Sequence, residues 1–372
     1  MGIVRNLAGT TLVAVLALSM PASADIRAFN AAVQSGDYRA AVIAANETWP
    51  SIDRNGPDAV SVAREFGWVA MLAGQPNVAL VYSKFLVEQG PSLARPDTAP
   101  AVSRVLHDWA NLSVAPTPQA RLQLLASLQQ RGAATGRDLI SARAAHALHA
   151  QAIAAGDWVQ AYDSALLAIR FLDELGARSP PSRYELRRGV AVASFMRVKS
   201  PEAYNALYDV AAELADQVVA TPPGPARDRL AGEYFTAVAW GDVMHGALPA
   251  AVRKATPDRR NSVRQLAEVL YPAPGDPALP RCRIGLAREF KNPGFTFEPR
   301  FRDLGGEVIY ALDVRPDGTF ANARTLVSAP HNGFANAMAG LIPGWRWRVD
   351  PGQPACRTPT THILTFEFAL GR

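Results

Sequence analysis

The sequence predicts a mainly α-helical chain in which an array of helical hairpins precedes a small α+β domain. From residue 25 to residue 271, alanine-rich segments show helical spacing and are broken by Gly, Pro and Asn, with almost no alternating runs. After Cys282 the apolar residues alternate with a period of two, which is typical of strands. We expect the second domain to have the order strand, strand, helix, strand, strand.

These changes of pattern divide the 372 residues into successive segments. We assign residues 1–24 to a signal peptide and residues 25–272 to the helical domain. Residues 273–294 form a linker or lead-in, and residues 295–372 form the C-terminal domain. The run YPAPGDPALP, at residues 271–280, is rich in proline and fits a domain boundary.

The N-terminus has the three-part pattern of a secretory signal peptide. Arg5 precedes an apolar stretch at residues 7–20, and Ala22-Ser23-Ala24 follows as a small-x-small cleavage site. The apolar stretch is shorter than the roughly 20 residues that a membrane span needs. We expect cleavage before Asp25 and an exported, soluble mature chain. The alternative is an uncleaved membrane anchor.

The composition favours large packed cores and gives no indication of nucleic-acid binding. Apolar residues make up 49% of the chain, which is enough to bury substantial cores, and the formal net charge is only +5. A charge this small over 372 residues produces a weak field. The chain has two cysteines, Cys282 and Cys356, and in an oxidising compartment we expect them to form a disulfide. Two separate buried thiols are the alternative.

One turn motif recurs in the helical half. Gly36-Asp37-Tyr38 and Gly156-Asp157-Trp158 each stand between two helical segments, and Ala41 and Ala161 follow three residues after the aromatic side chain. A looser copy has Gly74-Gln75-Pro76. We expect each glycine to end a helix in the left-handed conformation, and each small alanine to allow close packing of the next helix.

This turn resembles that of the tetratricopeptide repeat. The first-helix Trp and Leu-Gly of that repeat are mostly missing, Phe29 stands where glycine is expected, and the spacing between copies is irregular. The resemblance implies a degenerate array of hairpins with a concave surface for partners. Unrelated helical hairpins are the alternative.

The C-terminal segment begins with a predicted hairpin. Val308, Tyr310, Leu312 and Val314 fall on one face, and a turn at residues 316–318 leads to a second strand. A short helix follows around Phe334. PGWRWRVDPG, at residues 343–352, then alternates two tryptophans with two arginines, and a last strand runs from Thr361 to Ala369. We expect the tryptophans to be structural; ligand stacking is the alternative.

This order of motifs resembles the C-terminal domain of the TonB family, the energy transducers of the Gram-negative envelope. The resemblance covers residues 295–372. The residues that match the family pattern in order are Gly306, Val308, Asp317, Gly318, Ser328, Trp345, Trp347 and Pro351. The resemblance implies that the domain binds an extended peptide, such as the TonB box of an outer-membrane receptor, by adding it as a strand to a sheet edge.

If the resemblance extends to binding, the last strand is the candidate edge, and we expect its exposed face to carry Thr361, Ile363, Thr365 and Glu367. The alternative is an edge that the helical domain shields. The chain lacks the long proline-rich spacer of the transducers, and its signal is expected to be cleaved. The predicted signal peptide and the resemblance to the TonB family together imply a periplasmic protein–protein interaction protein, linked to TonB-dependent transport, with envelope proteins as partners.

A membrane-anchored transducer of the TonB type is the second hypothesis, and an unrecognised envelope hydrolase is the third. The sequence contains no G-x-S-x-G, phosphate loop, H-E-x-x-H or dinucleotide glycine motif. We therefore expect no enzyme activity, no catalytic residues, no metal site and no cofactor. We also expect no stable membrane insertion of the mature chain.

Overall fold

The structure is a computed structural model. It describes residues 24–56, 58–93, 97, 99–132, 138–176, 180–256, 266, 269–280, 284–286, 301, 304–315, 319–340, 342, 347–349, 355–357 and 361–368.

The described part of the chain is mainly helical, with a small antiparallel sheet near the C-terminus, as the sequence predicts. The helices before the strands are α1 Ala24–Gln34, α2 Tyr38–Thr48, α3 Ala59–Leu72, α4 Pro76–Glu88, α5 Pro100–Val114, α6 Pro118–Gly132, α7 Leu139–Ala155, α8 Trp158–Glu174, α9 Pro180–Val198, α10 Pro201–Ala220, α11 Pro225–Ala247 and α12 Ala250–Ala255. The remaining elements are the strands β1 Ile284–Leu286, β2 Gly306–Val314, β3 Phe320–Ala329, β4 Trp347–Val349 and β5 Thr361–Phe368, and the helix α13 Gly333–Ala339.

Contacts divide the chain into two compact units. The first comprises residues 1–151 and 173–175, and the second comprises residues 152–172 and 176–372. The helices α9 to α11 and the C-terminal sheet therefore belong to the same unit. The predicted helical domain, residues 25–272, contributes to both units.

The recurring glycine motif forms the turns between consecutive helices. Gly36, Gly74 and Gly156 all have φ between +70° and +77°, which is the left-handed conformation predicted for them. At each turn, the N–H of the residue after the glycine donates to a carbonyl five residues earlier, as Asp37 does to Ala32 at 2.9 Å. These bonds satisfy carbonyl groups that the end of a helix leaves without partners.

The alanine that follows each turn is fully buried. Ala41, Ala79 and Ala161 have no exposed surface. In the first unit, aromatic rings complete the core between the hairpins: Phe66 lies 5.4 Å from Tyr82, centroid to centroid. The Tyr82 hydroxyl donates to Asn46 Oδ1 at 2.8 Å and so connects α4 to α2.

The strands form two antiparallel sheets. The larger has the order β3-β2-β5, with β2 in the centre, and the smaller pairs β1 with β4. The predicted order of strand, strand, helix, strand, strand is found as β2, β3, α13, β4 and β5. The strand β4, which begins at Trp347, pairs with β1, and the larger sheet consists of β3, β2 and β5.

One face of the larger sheet shares a hydrophobic core with the helices of the second unit. Ile309 of β2, Val327 of β3 and Ile363 of β5 pack in the same cluster as α9, α10 and α11. α11 contacts both β2 and β3 and is buried along most of its length. A helix covered on several sides needs apolar residues around its circumference, which its sequence provides.

The opposite face packs against α13. Val308, Tyr310 and Leu312 of β2 form a second cluster with Phe334 and other residues of that helix. Val308, Tyr310 and Leu312 share this face, as the alternating pattern predicts. The residues between them are buried too, so the central strand is covered on both faces.

Candidate functional site

β5 is an outer strand of the larger sheet with a regular ladder. Its eight residues pair with β2 in continuous register from Thr361 opposite Asp313 to Phe368 opposite Gly306. Among the described strands, β5 pairs with β2 alone. Its sequence, THILTFEF, contains no proline, lysine or arginine, and Glu367 is its one acidic residue. The ladder is therefore uninterrupted up to this edge.

The opposite edge, formed by β3, is irregular. Its pairing with β2 shifts register twice, and Asn322 adopts a positive φ of 49°. The four residues from Asn322 to Thr325 are exposed, and Arg324 stands among them. Bulges and charged side chains are the devices by which proteins prevent strand addition at an edge. The two edges of the sheet thus differ in the regularity of their pairing with β2.

Asp313 connects the three strands at one end of the sheet. Its carboxylate accepts a hydrogen bond from Thr361 Oγ1 of β5 at 2.7 Å and from Asn322 Nδ2 of β3 at 2.9 Å. These two hydrogen bonds, that of Thr361 first, hold the pKa of Asp313 below its usual value. This bridge could not be predicted from the sequence, because the hairpin register that brings Asn322 beside Asp313 depends on the bulges.

Gly306 and Ser328, two of the residues on which the resemblance to the TonB family rests, have a clear structural role. A Cβ at Gly306 would lie 2.5 Å from Cζ of Phe334, so glycine is required for the ring of α13 to approach β2. Ser328 Oγ donates to the His331 carbonyl at 2.7 Å and accepts from the Ala335 N–H at 3.3 Å. Ser328 therefore holds the start of α13 against the end of β3.

The four predicted binding residues lie together along β5, on the face that carries the helical core. Thr361, Ile363 and Thr365 are half-buried, and Ile363 packs against the core formed with α9 to α11. Glu367 is the exposed residue of the strand. The face of β5 that carries the four residues is therefore largely covered, and Glu367 is its exposed member.

Several predicted residues lie outside the described part of the chain. These are Asp317, Gly318, Trp345, Pro351 and Cys282. The backbone of Trp347 lies in β4. The structural role predicted for the tryptophans, and the alternative of ligand stacking, stay predictions.

The predicted disulfide between Cys282 and Cys356 also stays a prediction. Hydrogen bonds fix the position of Arg357, the residue that follows Cys356. The Arg357 N–H donates to the Pro280 carbonyl at 2.8 Å, and its guanidinium donates to the carbonyls of Leu279 at 2.8 Å and Ala273 at 3.2 Å. These bonds place the residue after Cys356 against the residues that precede Cys282.

Glu367 lies directly opposite Glu307 in the register of β5 and β2. Glu307 has no exposed surface, whereas Glu367 is exposed. On the other side of β2, the β3 residue directly opposite Glu307 is Ala329. Two acidic residues are therefore direct cross-strand neighbours, and Glu367 is the one on the outer strand.

A buried polar contact lies in the helical part of the second unit. The Tyr208 hydroxyl of α10 donates to Asp242 Oδ1 of α11. Burial, followed by the charge of Asp242, raises the pKa of Tyr208. Gly241 makes the contact possible, because a Cβ there would lie 2.5 Å from Cε2 of the tyrosine ring.

Within the described ranges, no group of three or more His, Cys, Asp or Glu side chains is placed to hold a metal ion. None of the helices that the structure describes combines the length and apolar character needed to cross a bilayer. Comparison with protein-family models and with curated proteins finds no match for this chain.

Proposed function

We propose that the chain is a non-enzymatic periplasmic interaction protein that binds an extended peptide by strand addition at β5. The C-terminal domain acts as a TonB-like module, and the helical hairpins act as a tetratricopeptide-like scaffold for partner docking. The partners are envelope proteins, and an outer-membrane receptor peptide is the form that the resemblance to the TonB family favours. The proposal links the protein to TonB-dependent transport across the outer membrane, as a binding protein rather than as the energy source.

The observation that carries the proposal is the contrast between the two edges of the sheet. β3 is interrupted by two register shifts and carries Arg324 among exposed residues, whereas β5 keeps a continuous ladder over eight residues. Proteins protect edges that must not pair with other chains. The regular ladder of β5, beside the interrupted one of β3, supports a binding role for β5.

The covered faces of the sheet define how recognition works. Because the helical core covers one face and α13 the other, the peptide is held mainly by main-chain hydrogen bonds along β5. The side chains of β5 that remain accessible then determine which peptide sequences bind. Because β5 is already a paired strand of a sheet covered on both faces, only the peptide must become ordered on binding, which lowers the entropic cost.

Selection of peptides from a display library of random twelve-residue linear sequences tests the proposal. The mature chain is the target, and the selected peptides are then measured against proline variants. Successive residues of a strand direct their N–H groups to opposite edges, so the pair Leu364→Pro and Thr365→Pro removes one inward and one outward N–H. The variant whose melting temperature stays closer to wild type identifies the outward position.

We expect the outward proline to abolish peptide binding while the domain stays folded. The matched control is the pair Arg324→Pro and Thr325→Pro at the β3 edge, of which the stable variant should bind like wild type. Hydrogen exchange gives a second measurement, because a bound strand should slow exchange of the outward β5 amides. Binding that survives the β5 proline, or a library that yields no specific peptide, would contradict strand addition.

The predicted location has its own test. Fractionation and N-terminal sequencing of the native protein should find a chain that starts at Asp25 in the soluble periplasmic fraction. Recovery of an intact N-terminus in the inner membrane would instead support the anchored transducer.

A further inference from the structure

We draw no further inference here: the strongest candidate, the exposed aliphatic surface that Ile43 of α2, Val81 of α4 and Leu122 of α6 present on the first unit, carries no proposal because nothing in the described part of the chain shows what covers it.

Discussion

The substitution Gly306→Ala should destabilise the C-terminal sheet, because the new methyl group would occupy space that Phe334 fills. The added Cβ would lie 2.5 Å from Cζ and 2.6 Å from both Cε atoms of that ring. Carbon atoms in contact are normally about 3.5–4.0 Å apart, so three atom pairs would overlap by about 1 Å.

The ring of Phe334 has little freedom to move away. It has no exposed surface, stacks on Phe368 with 5.0 Å between ring centroids, and lies 4.8 Å from the His331 ring. Overpacking of a filled core costs about 1–3 kcal/mol. Because the ring is confined on both sides, we expect a loss of about 2–3 kcal/mol in the free energy of unfolding.

Native-state hydrogen exchange of the β2 and β5 amides measures this loss within the mature chain, and urea unfolding gives an independent value. Gly340→Ala is the matched control, since no atom lies within 4 Å of its Cβ position and its φ is −69°. That control should be neutral or stabilising by up to about 1 kcal/mol.

A double-mutant cycle with Phe334→Leu identifies the cause. The smaller side chain leaves room for the methyl group, so the double variant should be more stable than the sum of the single effects predicts, by at least about 0.5 kcal/mol. Additive effects, or a Gly306→Ala variant as stable as wild type, would show that the close approach of Phe334 is not the reason that position 306 needs glycine.

Three further perturbations test other parts of the structure. Gly241→Ala would place a Cβ 2.5 Å from the buried ring of Tyr208, so it should cost about 1–3 kcal/mol and lower the melting temperature; an unchanged value would contradict this packing. Asp313→Asn should cost at most about 1 kcal/mol at neutral pH, because the carboxylate is solvent-accessible. The depressed pKa of Asp313 adds stability above the unfolded-state value of about 4, and this stability is lost as pH falls through the lower folded pKa. The difference between wild type and Asp313→Asn should therefore shrink below about pH 4, and a constant difference would refute the carboxylate's role. Titration of the unreduced, denatured mature chain should find no free thiol if Cys282 and Cys356 are bonded, whereas two thiols would rule out the disulfide.

Much of the local structure could be predicted from the sequence. The glycine turns of the hairpins were predictable because a left-handed residue at the end of a helix is a local requirement. The β2–β3 hairpin and α13 followed from periodicity in the same way. The resemblance to the TonB family singled out Gly306 and stays a prediction, whereas the close approach of Phe334 to this glycine is visible only in the structure.

The surroundings of β5 were harder to predict. The sequence analysis left open whether the helical domain shields the last strand, and the structure places Ile363 in a core shared with α9 to α11 while Glu367 stays exposed. One signal was present in the sequence: Val308 to Leu312 is a continuous apolar run, which is typical of a strand buried on both faces. The alternating positions Val308, Tyr310 and Leu312 were interpreted as one buried face, so the apolar residues between them were overlooked.

The sequence by itself determined the helical turns, the strand order and the apolar face of β2, because each depends on residues a few positions apart. Only the tertiary structure decided that α11 covers the sheet, that β3 is irregular while β5 is regular, and that Glu367 stands opposite Glu307. These features depend on packing and register between segments far apart in the chain, and a one-residue shift in register would change every cross-strand pair.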